Sequence, residues 1–243
     1  MQAWGLSDVG NVRKLNEDTY RITQLPHDAL LCVVCDGMGG AKSGNVASKL
    51  AAEVFSEEVK RSFSPQMTAE EAETVLRSAV TLANISVYEH AQLSEEYRGM
   101  GTTLVAALLY DRATLVVNVG DSRAYHIDTD GVRCITIDHS VVELMVRRGE
   151  LTHEQAKSHP QKNLITRAIG TMPQVYSDVF RVSMRKSDCL LLCSDGLSNE
   201  LADEEILFEV LHGVRRDDCC RRLLQIVKER GAPDNVTVIL IAP

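Results

Sequence analysis

The tightest constraint on this chain is a set of short, strongly apolar runs that meet an aspartate at one end. Residues 29–35 run into Asp36-Gly37, residues 115–119 into Gly120-Asp121, and residues 189–193 into Ser194-Asp195-Gly196; Asp234-Asn235 immediately precedes the run 236–241. Such runs are far too short to span a membrane and suit buried strands. Between them lie two long segments with helical spacing. In the first, Ala47, Leu50, Ala51, Val54, Phe55 and Val59 share a face; in the second, Ala72, Val75, Leu76, Ala79, Ala83 and Val87 do. Each carries charge opposite its apolar face, so both helices should lie on a flat apolar surface.

Strands expected at 103–109, 114–119, 123–127 and 132–137 would supply that surface, with shorter ones at 3–6 and 20–22. Their connections are too short for crossover helices, which makes them antiparallel neighbours. A polar excursion, 139–167, precedes strands at 179–184 and 189–193, helices at 203–211 and 217–230, and the last strand. No Pro/Gly/Ser-rich linker divides the chain, so residues 1–243 are expected to form one domain. Strands in groups and helices in pairs indicate an α+β architecture of two face-to-face sheets with helices outside.

Composition removes several function classes. The net charge is −8 and aromatics make up 5%, with Trp4 the one tryptophan, which argues against phosphate-backbone binding and base-stacking platforms. The first residues, Met1-Gln2-Ala3-Trp4, lack a basic region followed by an apolar one, so a cytosolic location is expected. Seven cysteines include the pair Cys32 and Cys35, but no second ligand pair follows at zinc-ribbon spacing. All seven are read as small buried hydrophobes.

Any one Asp-Gly pair can be read as a turn. Four acids at strand ends, together with the exposed-looking pair Glu17-Asp18, converge if two stacked sheets end at a common rim. Converging carboxylates need protons or cations, and a set of oxygen ligands without His or Cys selects hard ions such as Mg²⁺ or Mn²⁺. Two ions bridged by an Asp, roughly 3.5 to 4 Å apart, suit in-line displacement at phosphorus. Gly37, Gly39 and Gly40 would allow close backbone approach, Gly37 offering its carbonyl to an ion. Arg13 presents a planar fork able to hold two phosphate oxygens.

The segments Ser7-Asp8-Val9-Gly10, Arg13-x-x-Asn16-Glu17-Asp18, Cys35-Asp36-Gly37-Met38-Gly39-Gly40, Gly101-Thr102-Thr103, Val119-Gly120-Asp121-Ser122-Arg123, Ser194-Asp195-Gly196 and Asp234-Asn235-Val236-Thr237 occur in this order. Together they resemble the PP2C-type metal-dependent Ser/Thr protein phosphatases, especially the compact bacterial form. The resemblance implies a four-layer α-β-β-α sandwich, two antiparallel sheets flanked by helix pairs, with a binuclear Mn/Mg centre at one edge and a flap, about 139–170, beside it. It implies that Asp36 bridges the ions, Gly37 ligates one through its carbonyl, Asp195 and Asp234 complete the other, and Glu17 and Asp18 act through metal-bound water. Bacterial members often hold a third ion, for which Asp121 and Asp195 are the matching residues. Arg13 would hold the phosphoryl group, and a hydroxide would attack without a covalent intermediate.

Two positions depart from the family pattern. Met38 stands where eukaryotic relatives carry a His proposed as general acid, and Ala41 where some bacterial relatives have a His after Gly-Gly. Met cannot supply a proton, so water on a metal ion is expected to protonate the leaving group. His139 and His159 lie in the flap without an assigned role. Expected partners are phosphorylated proteins and a Ser/Thr kinase of eukaryotic type, with no nucleic acid or membrane partner, the enzyme acting as a monomer. The rival readings are a catalytically inactive PP2C-like regulatory module and a nucleotide-binding protein using 34–44 as a phosphate loop. The second lacks the glycine that a P-loop places before its Lys-Ser.

Overall fold

The run 29–35 becomes part of a strand whose two faces are both dry. Leu31, Val33 and Cys35 pack against helices, whereas Leu30, Cys32 and Val34 pack against a second sheet. The strand Cys189–Cys193 repeats the pattern in that other sheet, with Leu191 and Cys193 towards helices and Leu190 and Leu192 inward. A strand buried on both faces has no polar side to alternate with, which accounts for the unbroken apolar runs. Cys32 and Cys35 consequently point to opposite faces and cannot chelate one ion together. All seven cysteines are free; six are buried, while Cys134 is half-exposed rather than buried as expected.

The computed structural model describes residues 1–39, 43–213 and 215–243. The expected contributions of Gly40 and Ala41 therefore lie outside the described residues. The strands are β1 (Gln2–Asp8), β2 (Asp18–Gln24), β3 (Leu30–Met38), β4 (Gly101–Thr102), β5 (Leu104–Tyr110), β6 (Ala113–Val119), β7 (Arg123–Asp128), β8 (Gly131–Cys134), β9 (Asp178–Val182), β10 (Cys189–Cys193) and β11 (Val236–Ala242). One sheet has the order β1-β11-β10-β7-β8; the other runs β2-β3-β5-β6-β9, with β4 paired to the end of β3. Every pairing is antiparallel. The helices α1 (Ser43–Ser62) and α2 (Ala69–Ala91) cover the second sheet; α6 (Asp203–His212) and α7 (Cys219–Glu229) cover the first. Thr68 starts α2 with a capping box, accepting from the Glu71 amide while Glu71 accepts from its own. The result is the α-β-β-α sandwich.

One expectation about connectivity fails. β6 and β7 are consecutive and separated by only a few residues, yet they belong to different sheets. Gly120, at φ +112°, turns the chain across the sandwich instead of back along it. This crossing places Asp121 between the two sheets, whereas a hairpin would have left it on one.

The flap carries two short helices, α3 (Val141–Arg147) and α4 (His153–Lys157), capped by Ser140 and Thr152. An isolated bridge Ser140–Ile165 joins the two limbs of the flap, and Thr102–Ile169 ties it to the body. No helix among the described residues is long and apolar enough to cross a membrane.

Candidate metal centre

Antiparallel pairing brings strand ends that are distant in sequence to one rim. Asp36 lies near the end of β3 and Asp18 opens β2, directly opposite it in register. From the other sheet, Asp195 follows β10 and starts the short helix α5 (Asp195–Ser198), and Asp234 precedes β11. Asp121 enters from the crossing between β6 and β7. A cleft of about 660 Å³ opens here, lined by Arg13, Glu17, Asp36, Gly37, Asp121, Asp195 and Asp234, with Asn163 and Ile165 reaching in from the flap.

The glycines after Asp36 and Asp195 do not make turns. Gly37 is inside β3, and a Cβ there would sit 2.1 Å from the Gly44 carbonyl oxygen; one on Gly196 would sit 1.9 Å from the Asn235 carbonyl oxygen. Both glycines let another backbone segment close against the acid-bearing strand. The Asp36 backbone is itself fixed, its N–H donating to Thr103 Oγ1 at 2.9 Å and its carbonyl accepting from the Thr103 N–H at 2.8 Å.

The electrostatics are unfavourable as they stand. Burial, followed by the charges of Asp18, Asp195, Asp121 and Asp234, pushes the Asp36 carboxyl well above its ordinary range. Burial and the neighbouring Asp195 push Asp121 up to about 8. Burial raises Asp18 to about 7 even though the Thr237 and Ser194 hydroxyls favour its charged form. Asp195 is raised by burial and by Asp234, and Glu17 chiefly by burial. Arg13 faces this group and bonds Asp234 Oδ2 at 2.7 Å, with about half of its side chain exposed to the cleft.

Two oxygens test whether the residues present suit a cation. Glu17 Oε1 and Asp18 Oδ1 are buried and have no hydrogen-bond partner among the described residues. Native interiors rarely leave buried carboxylate oxygens unpaired, and a divalent ion would satisfy them and neutralise the mutual repulsion. An all-oxygen set suits Mn²⁺ or Mg²⁺. Taken three at a time, the described rim carboxylates do not bring ligating oxygens all within 4.8 Å of one another.

Asp18 differs from expectation: it is buried beneath the cleft instead of exposed beside Glu17, because its place at the start of β2 turns it inward. Its Oδ2 accepts from Ser194 Oγ at 2.7 Å. Met38 lines the cleft, its Cε close to Gly101. His159 receives the Gln161 amide and does not line the cleft. Sequence motifs contained Asn235 without a role for it; the structure shows that its Nδ2 donates to the Val9 and Leu15 carbonyls while its Oδ1 accepts from the Glu17 N–H. Asn235 thereby holds the loop that carries Arg13 and Glu17 against the strand that follows Asp234. An amide of this reach, next to a candidate ligand, was the available signal.

A second acid group sits at the other end of the sandwich, unforeseen from sequence. His126, Asp128 and Asp188 place one ligand-type atom each within 4.8 Å of one another. Here the acids already have partners. His126 Nε2 meets Asp188 Oδ2 at 3.0 Å, the Arg185 N–H donates to the same oxygen at 2.7 Å, and the Asp130 and Gly131 amides donate to Asp128 Oδ1.

Residues 11–238 match the protein phosphatase 2C family. A Ser/Thr phosphatase stp of Listeria innocua is 37% identical over 99% of this chain and 95% of its own length. The solved structure of the Ser/Thr phosphatase Stp1 from Staphylococcus aureus superposes with a TM-score of 0.90 at 39% identity, covering 100% of this chain and 94% of that one. That of the S. agalactiae Ser/Thr phosphatase gives 0.92 at 32% identity, covering 98% of each. The chain belongs to the protein phosphatase 2C family, and its sandwich is the fold of the bacterial members. It is a serine/threonine protein phosphatase, a hydrolase whose substrates are phosphoproteins.

Proposed function

We propose that the rim is a binuclear Mn²⁺ or Mg²⁺ centre that hydrolyses phosphoserine and phosphothreonine without a covalent enzyme intermediate. The observation that carries this reading is the crowding of half-buried, facing carboxylates around one cleft, with two further carboxylate oxygens, Glu17 Oε1 and Asp18 Oδ1, buried at its wall without a hydrogen-bond partner among the described residues. Asp36, from the centre of the group, would bridge two ions; the Gly37 carbonyl would serve one, and Asp195 and Asp234 the other. Asp121, with Asp195, would hold a further ion, and Glu17 and Asp18 would act on the ions through water. Bound there, divalent ions supply a nucleophile from water at neutral pH and neutralise charge on the phosphoryl group.

The chain's own residues bind and orient. Arg13 stands beside the ion ligands with much of its guanidinium open to the cleft, where a planar fork grips two phosphoryl oxygens. Asn235 fixes the Arg13 loop, and Asn163 and Ile165 border the substrate from the flap. Met38 offers no proton, so the leaving alkoxide takes its proton from water. Glu17, Asp36, Asp121, Asp195 and Asp234 line one cleft, which favours an active enzyme over an inactive binding module. The phosphate-loop reading fails because the partners of β3 are antiparallel on both sides.

A phosphatase of this kind requires a reaction that makes its substrate, which we assign to a Ser/Thr kinase of eukaryotic type acting in cytoplasmic signalling. One chain supplies the whole site, so a monomer suffices. Mn²⁺-dependent dephosphorylation of candidate phosphoproteins by wild type and Asp195→Asn tests the proposal: wild type should work and the variant should not. Full activity of wild type in EDTA would refute it.

A further inference from the structure

The reaction described above gives His139 no part, yet few side chains in the molecule are so completely held. It is the first residue of the flap and is 6% exposed. Its backbone N–H donates to the Gly120 carbonyl at 2.9 Å, and the Gly120 N–H donates back to its Nδ1 at 3.0 Å. A single residue therefore holds both polar groups of Gly120, the residue immediately before Asp121. Asn118 Nδ2 adds a second donor to the same carbonyl at 3.2 Å. Gly120 has no side chain of its own with which to anchor this left-handed crossing, and a Cβ there would collide with Thr103.

The other side of the imidazole faces the flap's return. Since Nδ1 accepts a hydrogen bond, the proton of the neutral ring is on Nε2, which donates to Asp178 Oδ2 at 3.1 Å on β9. Arg167 donates to Asp178 Oδ1 at 3.2 Å and so closes over the ring, while the Thr166 N–H donates to the His139 carbonyl at 2.7 Å. The ring thus joins the peptide ahead of Asp121 to β9 and, with Arg167 Nη1 lying 3.1 Å from Nε2, to the returning limb of the flap. A histidine buried for packing alone would need no such opposed pair of polar fastenings.

We propose that His139 is a positioning residue that couples the flap to Asp121, holding that carboxylate where it serves an outlying divalent ion. The inference rests on the reading of Asp121 as an ion ligand. It follows that disorder in the flap loosens the Asp121 ion, and that loss of this ion loosens the flap, since coupling between sites is reciprocal.

Mn²⁺ titration calorimetry on the full chain tests this, with wild type, Asp121→Ala, His139→Ala, His139→Asn and Arg167→Ala. The heat lost in Asp121→Ala identifies the Asp121-dependent ion. His139→Ala should weaken that ion roughly tenfold or more and leave the remaining ions within about twofold, as removal of an outer hydrogen-bond partner does at metal sites. His139→Asn offers an amide oxygen to the Gly120 N–H and should recover most of the affinity. Arg167→Ala, at an exposed position, should weaken the same ion severalfold. Unchanged affinity in both His139→Ala and Arg167→Ala would overturn the proposal, as would uniform weakening of all ions or an Asn variant no better than Ala. If His139→Ala does not fold, Arg167→Ala decides alone. A wild-type protein with no Asp121-dependent ion would overturn the ligand reading, and this inference with it.

Discussion

The two ends of the sandwich both bury aspartates, and they treat them in opposite ways. At the His126 end, burial would raise the Asp188 carboxyl, but the Arg185 amide, His126 and Ser187 together hold it below its ordinary value. At the rim, burial raises Asp36, Asp121 and Asp195 and each acid makes the next worse. Asp18 and Asp36 even face each other directly across a strand pair, a placement that like charges normally destabilise. One end has spent its hydrogen bonds on stability. The other crowds its acids and leaves Glu17 Oε1 and Asp18 Oδ1 without a partner among the described residues, a cost that bound cations would offset.

Substitutions that neutralise one acid at each end separate the two treatments most sharply. Asp36→Asn should lower phosphopeptide turnover by more than about a hundredfold, beyond the loss expected for an outer partner of a metal ligand. The same change should raise the melting temperature of metal-free protein, because it removes a repelling charge. Intact turnover, or a metal-free protein that melts lower, would break the contrast. Next in size is Arg13→Ala, expected to cost about tenfold in kcat/KM and to weaken inhibition by inorganic phosphate similarly, as loss of a charge-assisted bidentate contact does. Arg13→Lys should recover only part of this.

Acidity gives a finer test through melting curves in EDTA. The folded-state values of Asp18 and Asp121, about 7 and about 8, lie above their ordinary value of 3.8. Their contribution to stability is fully present below about pH 4 and is lost as pH rises through 7 to 8. Metal-free protein should therefore lose rim stability between pH 5 and pH 8.5, and Mn²⁺ should raise the melting temperature more at pH 8 than at pH 5. An equal metal effect at both pH values would contradict the rim's electrostatics. The smallest effect on activity is expected at the far end. Asp188→Asn should leave turnover within about twofold while lowering the melting temperature by about 3–8 °C, through loss of charge-assisted hydrogen bonds.

Much of the rim was legible because burial on both faces writes a strand as an unbroken apolar run, and the acids that end such runs stand out. Asp36, Asp195 and Asp234 follow from that pattern alone. The path between β6 and β7 was not legible. A three-residue connection, Gly120-Asp121-Ser122, reads locally like any short hairpin, and only tertiary packing decides that it crosses between sheets. Asp-Gly misled in a related way, because a glycine that admits a neighbouring carbonyl looks in sequence like one that makes a turn. His126 and Asp188 lie 62 residues apart with no shared motif, so their pairing emerges only from the β7–β10 register. The clamp of His139 on Gly120 is hidden for the same reason, since its partners are gathered by three separate segments.

The central claim is that the rim, and not the far end, is the cage for divalent ions, and the number of Mn²⁺ ions bound per chain tests it directly. Equilibrium dialysis should find at least two in wild type and in Asp188→Asn, and fewer than one in Asp36→Asn. Wild-type protein that binds none, or an Asp36→Asn protein that binds the full number while Asp188→Asn loses an ion, would contradict the account.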